Sequence, residues 1–369
     1  MKKYFRKYSK KYFIAGILAL MVLSTSILGG CGERKAASNN GEVQTTSNSQ
    51  GEKKELKKFN VGYLATPGHV LYFVAMEKGY FKEEGLDVEL FLFTNSGEGL
   101  NAINSGKIDV GSFGTAAPLT FISRGVDFTI FGGQQTEGHG IIAYPEKAKE
   151  LKELENFKGK TIATVRLATG DVVFRAALKD AGIDWEKDLT INELDSPAAV
   201  FEAVKKGSVD AGIVWTPYIK LAERQGLEVI KYSGDLVEMH TCCRQVALTS
   251  KIKEKPEDFE KFLAALIKAY KFYLENQDET VDIISKYAKI DKDIIKEETY
   301  GGHMSSIPDP DKGGVVKFWE LINKSGYISS DLNIEDFIDT SVYKNALDSV
   351  LKQYPNDPVY KKLKEDFKE

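Results

Sequence analysis

Histidine and cysteine are scarce in this chain, numbering four and three among 369 residues. Any place where they gather is therefore informative. One exists: "MHTCCRQVALTS", residues 239–250, sets His240, two of the three cysteines and Arg244 ahead of a strand-like run. No G-x-S-x-G, Walker or H-E-x-x-H sequence is present, which weighs against the hydrolases, nucleotide-driven enzymes and zinc proteases that carry them. Beyond Leu28, no apolar run approaches the roughly 18–20 residues that span a bilayer. There is also no basic surplus, the net charge being −4. Phosphate binding needs a basic surface, so a nucleic-acid partner is not expected.

What is present begins with the amino terminus. Lys2, Lys3, Arg6, Lys7, Lys10 and Lys11 precede an apolar run from Phe13 to Leu28, and no acidic residue comes before Glu33. This is the pattern of an export signal. Its end, Leu28-Gly29-Gly30-Cys31, resembles the lipobox of bacterial lipoproteins, which implies lipidation of Cys31 and cleavage just before it. The alternative is an uncleaved anchor helix. Gly32–Glu55 is polar, with Val43 its one large apolar residue, and reads as a flexible tether. Cleavage leaves 44 basic against 54 acidic residues, a charge of −10. About 310 residues then remain beyond the tether, enough for two domains of ordinary size.

An internal echo supports two lobes. "AINSGKIDVGSFGTAAPLTFISRG" from Ala102 and "AVKKGSVDAGIVWTPYIKLAERQG" from Ala203 align at a constant offset of 101, pairing Gly106 with Gly207, Asp109 with Asp210, Thr115 with Thr216 and Gly125 with Gly226. In each half, short β-rich runs alternate with helical patterns. Strands are expected at 61–64, 87–93, 109–113 and 127–131, then near 161–165, 189–194, 210–214 and 227–232. Such alternation implies an α/β fold of two Rossmann-like lobes with parallel sheets, whose ligands sit outside the strand carboxyl ends. After Ser250 the pattern is helical, with a Lys/Glu-rich, solvated last helix. The expected division is a leader at 1–30, a tether at 31–58, a first lobe at 59–140 plus 245–369 with the C-terminal helices, and a second lobe at 141–244.

"VGYLATPGHVLYFVAMEKGYFKEEGLDVEL", "SGKIDVGSFGTAAPL" and "KKGSVDAGIVWTPY" resemble the solute-binding lipoproteins of nitrate, sulfonate, taurine and thiamine-precursor importers. The resemblance runs from about Asn60 to Ile328. It implies a type II periplasmic-binding-protein fold, two lobes joined by two crossovers with a ligand cleft between them, and a transport role without catalysis. It also implies a small-molecule solute, an ABC permease with its ATPase, and a lipid-anchored monomer on the outer face of the cell membrane. The ligand class it implies is a small organic anion or heterocycle.

The cleft loops supply candidate ligand-binding residues. Thr115, Ala116, Thr169 and Gly170 fall where helices begin, so free amide groups there can receive an oxygen, although ordinary capping explains them as well. Trp215 and Tyr218 follow a buried strand and offer faces for stacking. Arg166 is an anion partner or one half of a solvated ion pair. Asp195 accepts from an amine or caps the helix at Pro197. His69, His139, His240 and His303 all lie in turns, three with a glycine beside or before them. In an extended segment His240, Cys242 and Arg244 share one face and Cys243 takes the other. A bound metal is expected only through His139, His240 and Cys242, and the spacing matches no established closed zinc site. The remaining alternatives are an iron-binding pyrimidine-synthase-like enzyme and a sensory lipoprotein. A strained vicinal disulfide is a further state open to the cysteines.

Overall fold

The computed structural model describes residues 55–369, so the leader, Cys31 and most of the tether lie outside the described residues. Eleven strands are found there: β1 Lys57–Leu64, β2 Leu86–Phe93, β3 Val110–Gly114, β4 Phe128–Glu137, β5 His139–Ala143, β6 Thr161–Val165, β7 Thr190–Leu194, β8 Ala211–Trp215, β9 Glu228–Tyr232, β10 Thr241–Leu248 and β11 Met304–Ser305. They form a six-stranded sheet in the order β11-β4-β10-β3-β1-β2 and a five-stranded sheet in the order β7-β6-β8-β5-β9.

The echo at offset 101 is structural. Asp109 accepts the Asn60 N–H at 2.8 Å, and Asp210 accepts the Thr161 N–H at 2.9 Å. Each carboxylate thus ties the start of a central strand to the strand beside it. The helices Ser96–Asn104 and Pro197–Lys205 occupy matching places. Both end before a glycine at positive φ, Gly106 at 73° and Gly207 at 65°, the conformation that glycine reaches without steric cost.

The sheets are mixed, where the sequence alternation implied parallel ones. β5 lies antiparallel between β8 and β9, and β10 lies antiparallel between β3 and β4. Both strands are buried almost throughout, so no two-residue alternation marks them. The chain leaves the first sheet at Gly138, φ 88°, and returns after the short helix Ser233–Leu236. The expected boundaries at 140/141 and 244/245 therefore fall inside β5 and β10, and Lys57 and Lys58 belong to β1 instead of the tether.

Helix Pro256–Glu275 opens on the expected proline and buries Phe259, Phe262, Leu263 and Leu266 against the first lobe's core, with Leu71 and Phe73. Burying each such side chain contributes about 1.5–3 kcal/mol. The last helix, Pro358–Asp366, corrects the expectation of a fully solvated element. Its Tyr360 and Leu363, three residues apart on one face, are 4% exposed and join that same core. Among the described residues, no helix is long and apolar enough to cross a membrane.

Candidate functional site

Four helical segments start around one cavity. Thr66 caps the one-turn helix Pro67–His69, Ser96 opens Ser96–Asn104, Thr115 precedes Ala116–Ser123, and Ala168 precedes Thr169–Asp180. The cavity between the lobes has a volume of about 20 Å³. That is room for about one water molecule, so the two walls stand close together there. The first lobe supplies Leu64, Thr66, Ser96, Gly114, Gln135 and both cysteines, while the second supplies His139, Ala168, Thr169 and Trp215. None of these is Lys, Arg, Asp or Glu.

Hydrogen bonds cross between the lobes at several points. Thr66 Oγ1 lies 2.9 Å from both the carbonyl and the hydroxyl of Thr216. Asn95 Nδ2 donates to the Asp195 carbonyl at 3.1 Å, and Trp185 Nε1 to the Ser325 carbonyl at 2.8 Å. On one flank Arg224 pairs with Asp293 and Glu297, and Glu298 accepts the Lys220 N–H at 2.8 Å. Burial pushes the Glu298 carboxyl up to about 7.

The cysteine strip departs from simple alternation. β10 shifts register on both sides of Cys243, so Cys242 and Cys243 line the same cavity with their Sγ atoms 3.5 Å apart. Both are free thiols. The expectation that only Cys242 faces inward fails because alternation presumes an unbroken ladder. Burial and the neighbouring thiol raise Cys242, while the hydrogen bond from Cys242, helped by His69, lowers Cys243. Arg244 is fully buried outside the cavity, donating to the carbonyls of Gln135 and Cys243 at 2.8 Å each and pairing with Asp311 at 3.3 Å. It braces the irregular strand and does not line the cavity.

The other expected residues divide. His139 and Trp215 meet edge to face with ring centroids 6.2 Å apart, and His139 Nδ1 lies 4.0 Å from Cys242 Sγ. Gly170 lies so close to His139 that a Cβ would come within 2.5 Å of its ring. Thr169 donates to the Cys242 carbonyl at 3.3 Å and meets the Ala116 N–H at 3.5 Å. Thr115 spends both its N–H and its hydroxyl on that same carbonyl, so neither is free for a solute. His69 is buried, its Nδ1 accepting the Leu64 N–H at 3.0 Å. Arg166 stands outside, its side chain 73% exposed and paired with Glu193. Asp195 is exposed, and Ser196 caps the helix at Pro197 in its place. Tyr218 packs on Phe201, away from the cavity. His303 stacks on Tyr232, also away from it.

The metal expectation is corrected as well. Among the described residues, no three His, Cys, Asp or Glu side chains converge to hold an ion. His240 lies 6.5 Å from His139 between ring centroids and packs along Phe318, so it does not complete a set with Cys242. Thr66, Ser96, Gln135 and Cys243 were not singled out. Thr66 and Ser96 lie in the two loops after strand ends, where a Ser/Thr beside a helix start was a usable signal.

Burial drives the His139 imidazole down to about 4 and the His240 imidazole to about 3, so both are neutral at pH 7. Neither His240 nitrogen has a hydrogen-bond partner. The unfolded chain takes up a proton near 6.5 where the folded chain refuses it, so these groups cost stability as pH falls from about 6.5 toward 3. Asp171, raised to about 6 by burial against the pull of Arg175, acts in the opposite direction below pH 6. We predict that His240→Leu stabilises the protein by about 1–3 kcal/mol at pH 7, because it removes unpaired buried polar atoms. Its advantage over wild type should widen on acidification, which thermal melts at pH 7, 6 and 5 would measure.

Two α/β lobes, each holding an antiparallel strand from beside a crossover and closing on a shared cavity, define a type II periplasmic-binding-protein fold. The chain belongs to the NMT1/THI5-like family, which it matches over residues 66–280. A Bacillus subtilis (strain 168) protein named "Putative aliphatic sulfonates-binding protein" is 24% identical over 90% of this chain and 96% of its own length. The periplasmic nitrate-binding protein of Synechocystis PCC 6803 superimposes with a TM-score of 0.69 at 18% identity, covering 82% of this chain and 92% of that one. A Saccharomyces cerevisiae 4-amino-5-hydroxymethyl-2-methylpyrimidine phosphate synthase is 27% identical over 58% of this chain and 66% of its own length.

Proposed function

We propose that the protein is the solute-binding component of an ABC importer, held by a lipid on Cys31 at the outer face of the membrane. It captures a small solute by closing its two lobes and delivers it to a permease. The observation that carries this reading is the cavity itself, lined from both lobes and sealed by bonds such as Thr66–Thr216 and Asn95–Asp195. A solute that bridges the two walls binds the closed state and shifts the equilibrium toward it. Kinship to the B. subtilis and Synechocystis binding proteins supports the same role.

Between an organic anion and a heterocycle, the lining favours the heterocycle. No cationic side chain faces the cavity, and both nearby imidazoles are neutral at pH 7. Trp215 and Leu64 supply apolar walls, and the helix starts at Ser96 and Thr169 offer donors to a ring oxygen or nitrogen.

Protein purified without added solute, examined by native mass spectrometry, should carry a small organic mass. Removing that molecule should lower the melting temperature and expand the particle in solution scattering, and restoring it should reverse both. A tight solute that leaves the scattering radius unchanged would overturn the closure mechanism. Turnover of the retained molecule would instead favour the kinship with the yeast synthase.

A further inference from the structure

We propose that Cys242 and Cys243 are a vicinal dithiol modification site inside the solute cavity. With the lobes parted, the pair exchanges with a low-molecular-weight disulfide and closes to a Cys242–Cys243 disulfide. The inference rests on the proposed lobe motion, since in this structure the cysteines are only 2% and 5% exposed.

The geometry carries it. The two Sγ atoms stand 3.5 Å apart, about 1.5 Å beyond a disulfide bond. On a regular strand consecutive side chains point to opposite faces and their sulfurs could not meet. Here register shifts flank Cys243 on both sides, and the local irregularity already turns both sulfurs to one side. Across the ladder Cys243 faces Gly114, a residue without a side chain. The hydrogen bond from Cys242 and the contact with His69 favour the Cys243 thiolate, the form that attacks a disulfide. Neighbouring α-carbons are about 3.8 Å apart across a trans peptide, closer than disulfides prefer, so the ring is strained and easily reopened by a thiol.

The chemistry balances without a further reactant. The Cys243 thiolate attacks one sulfur of the small disulfide and expels its partner as a thiolate, which takes the Cys242 proton. The Cys242 thiolate then attacks Cys243 Sγ and expels the second small thiolate, which takes up the proton that Cys243 gave up on ionising. Two protein thiols are oxidised to one disulfide, and one small disulfide is reduced to two thiols. The cavity loses both S–H donors, and solute capture follows the redox state of the surroundings.

The test uses the chain with Cys31→Ser, leaving two thiols, incubated with oxidised glutathione and followed by intact mass. We expect loss of two hydrogen masses with no glutathione retained, mapping to a peptide across Thr241–Gln245 and reversed by dithiothreitol. Cys242→Ser in the same background should instead stop at a glutathione adduct on Cys243. Phenylarsine oxide should add once, with loss of water, to the reduced protein and not to the oxidised one. Two retained glutathiones would overturn the proposal. Thiols that survive both in buffer and in mild denaturant would overturn the dithiol assignment. Thiols that survive in buffer but close in mild denaturant would overturn the native opening of the lobes instead.

Discussion

Arg244→Ala should destabilise the protein by about 3–5 kcal/mol, the largest effect of any single side chain near the cavity. Its guanidinium is wholly buried, yet it is not an isolated charge. One nitrogen serves two carbonyls, those of Gln135 on β4 and of Cys243 on β10, where the ladder between these strands is irregular. Another reaches Asp311, which sits at φ 51° and caps helix Lys312–Lys324 through the Gly314 N–H at 3.0 Å. Truncation takes a charged donor from two buried carbonyls, frees the carboxylate and opens a void where packing was dense. Each unpaired buried group costs about 1–3 kcal/mol, before any term for the cavity. Thermal and urea melts should therefore shift strongly downward. Arg244→Met, which restores volume but not donors, should recover only part of the loss. A melting temperature for Arg244→Ala within a degree of wild type would refute this bracing role.

That bracing role was the part of "HTCCR" hardest to see in the sequence. The repeat was legible because its markers act locally: a carboxylate reaching the start of a neighbouring strand, and a glycine at a helix end needing positive φ. Asp109 with Asp210 and Gly106 with Gly207 perform these tasks at fixed spacing, and the fold follows from them. β5 was not placed, and β10 only as a strand-like run after Arg244, because each is buried on both faces and the two belong to sheets the other half of the chain begins. The cavity lining was legible where it depends on a helix start, as at Thr169, and on the end of a buried strand, as at Trp215. It was misread where it depends on an interrupted ladder. The bulge at Cys242, which has no partner on β4, leaves both thiols on the cavity and Arg244 outside it. Arg166 takes the second of its two expected roles, a solvated ion pair with Glu193, and Asp195 neither caps the helix at Pro197 nor lines the cavity. Both end or follow strands of the second sheet, but the chain turns there, at Leu167 with φ 63° in the first case, and leaves their side chains in solvent.

The second large effect is expected on binding instead of folding, from the addition of one methyl group. A Cβ at Gly170 would lie 2.5, 2.7 and 2.9 Å from Cδ2, Cγ and Cβ of His139. All three are closer than real contacts allow, and two belong to the root of the side chain, so a swing of the ring tip cannot relieve them. His139 is held by Trp215 on one side and His240 on another, and its N–H donates to Ser233 Oγ at 3.3 Å. The yielding direction is into the cavity, which has room for about one water. Gly170→Ala should thus weaken capture of the solute recovered with the protein at least tenfold, about 1.4 kcal/mol. Helix propensity alone argues the reverse, since alanine is favoured over glycine by about 1 kcal/mol within a helix. Gly313→Ala separates the two arguments. Gly313 is likewise the second residue of its helix, Lys312–Lys324, but a Cβ there meets nothing within 4 Å. It should leave affinity unchanged, with stability equal to or above wild type. If calorimetry finds the two variants binding alike, His139 is not the wall that the closed lobes press against the solute.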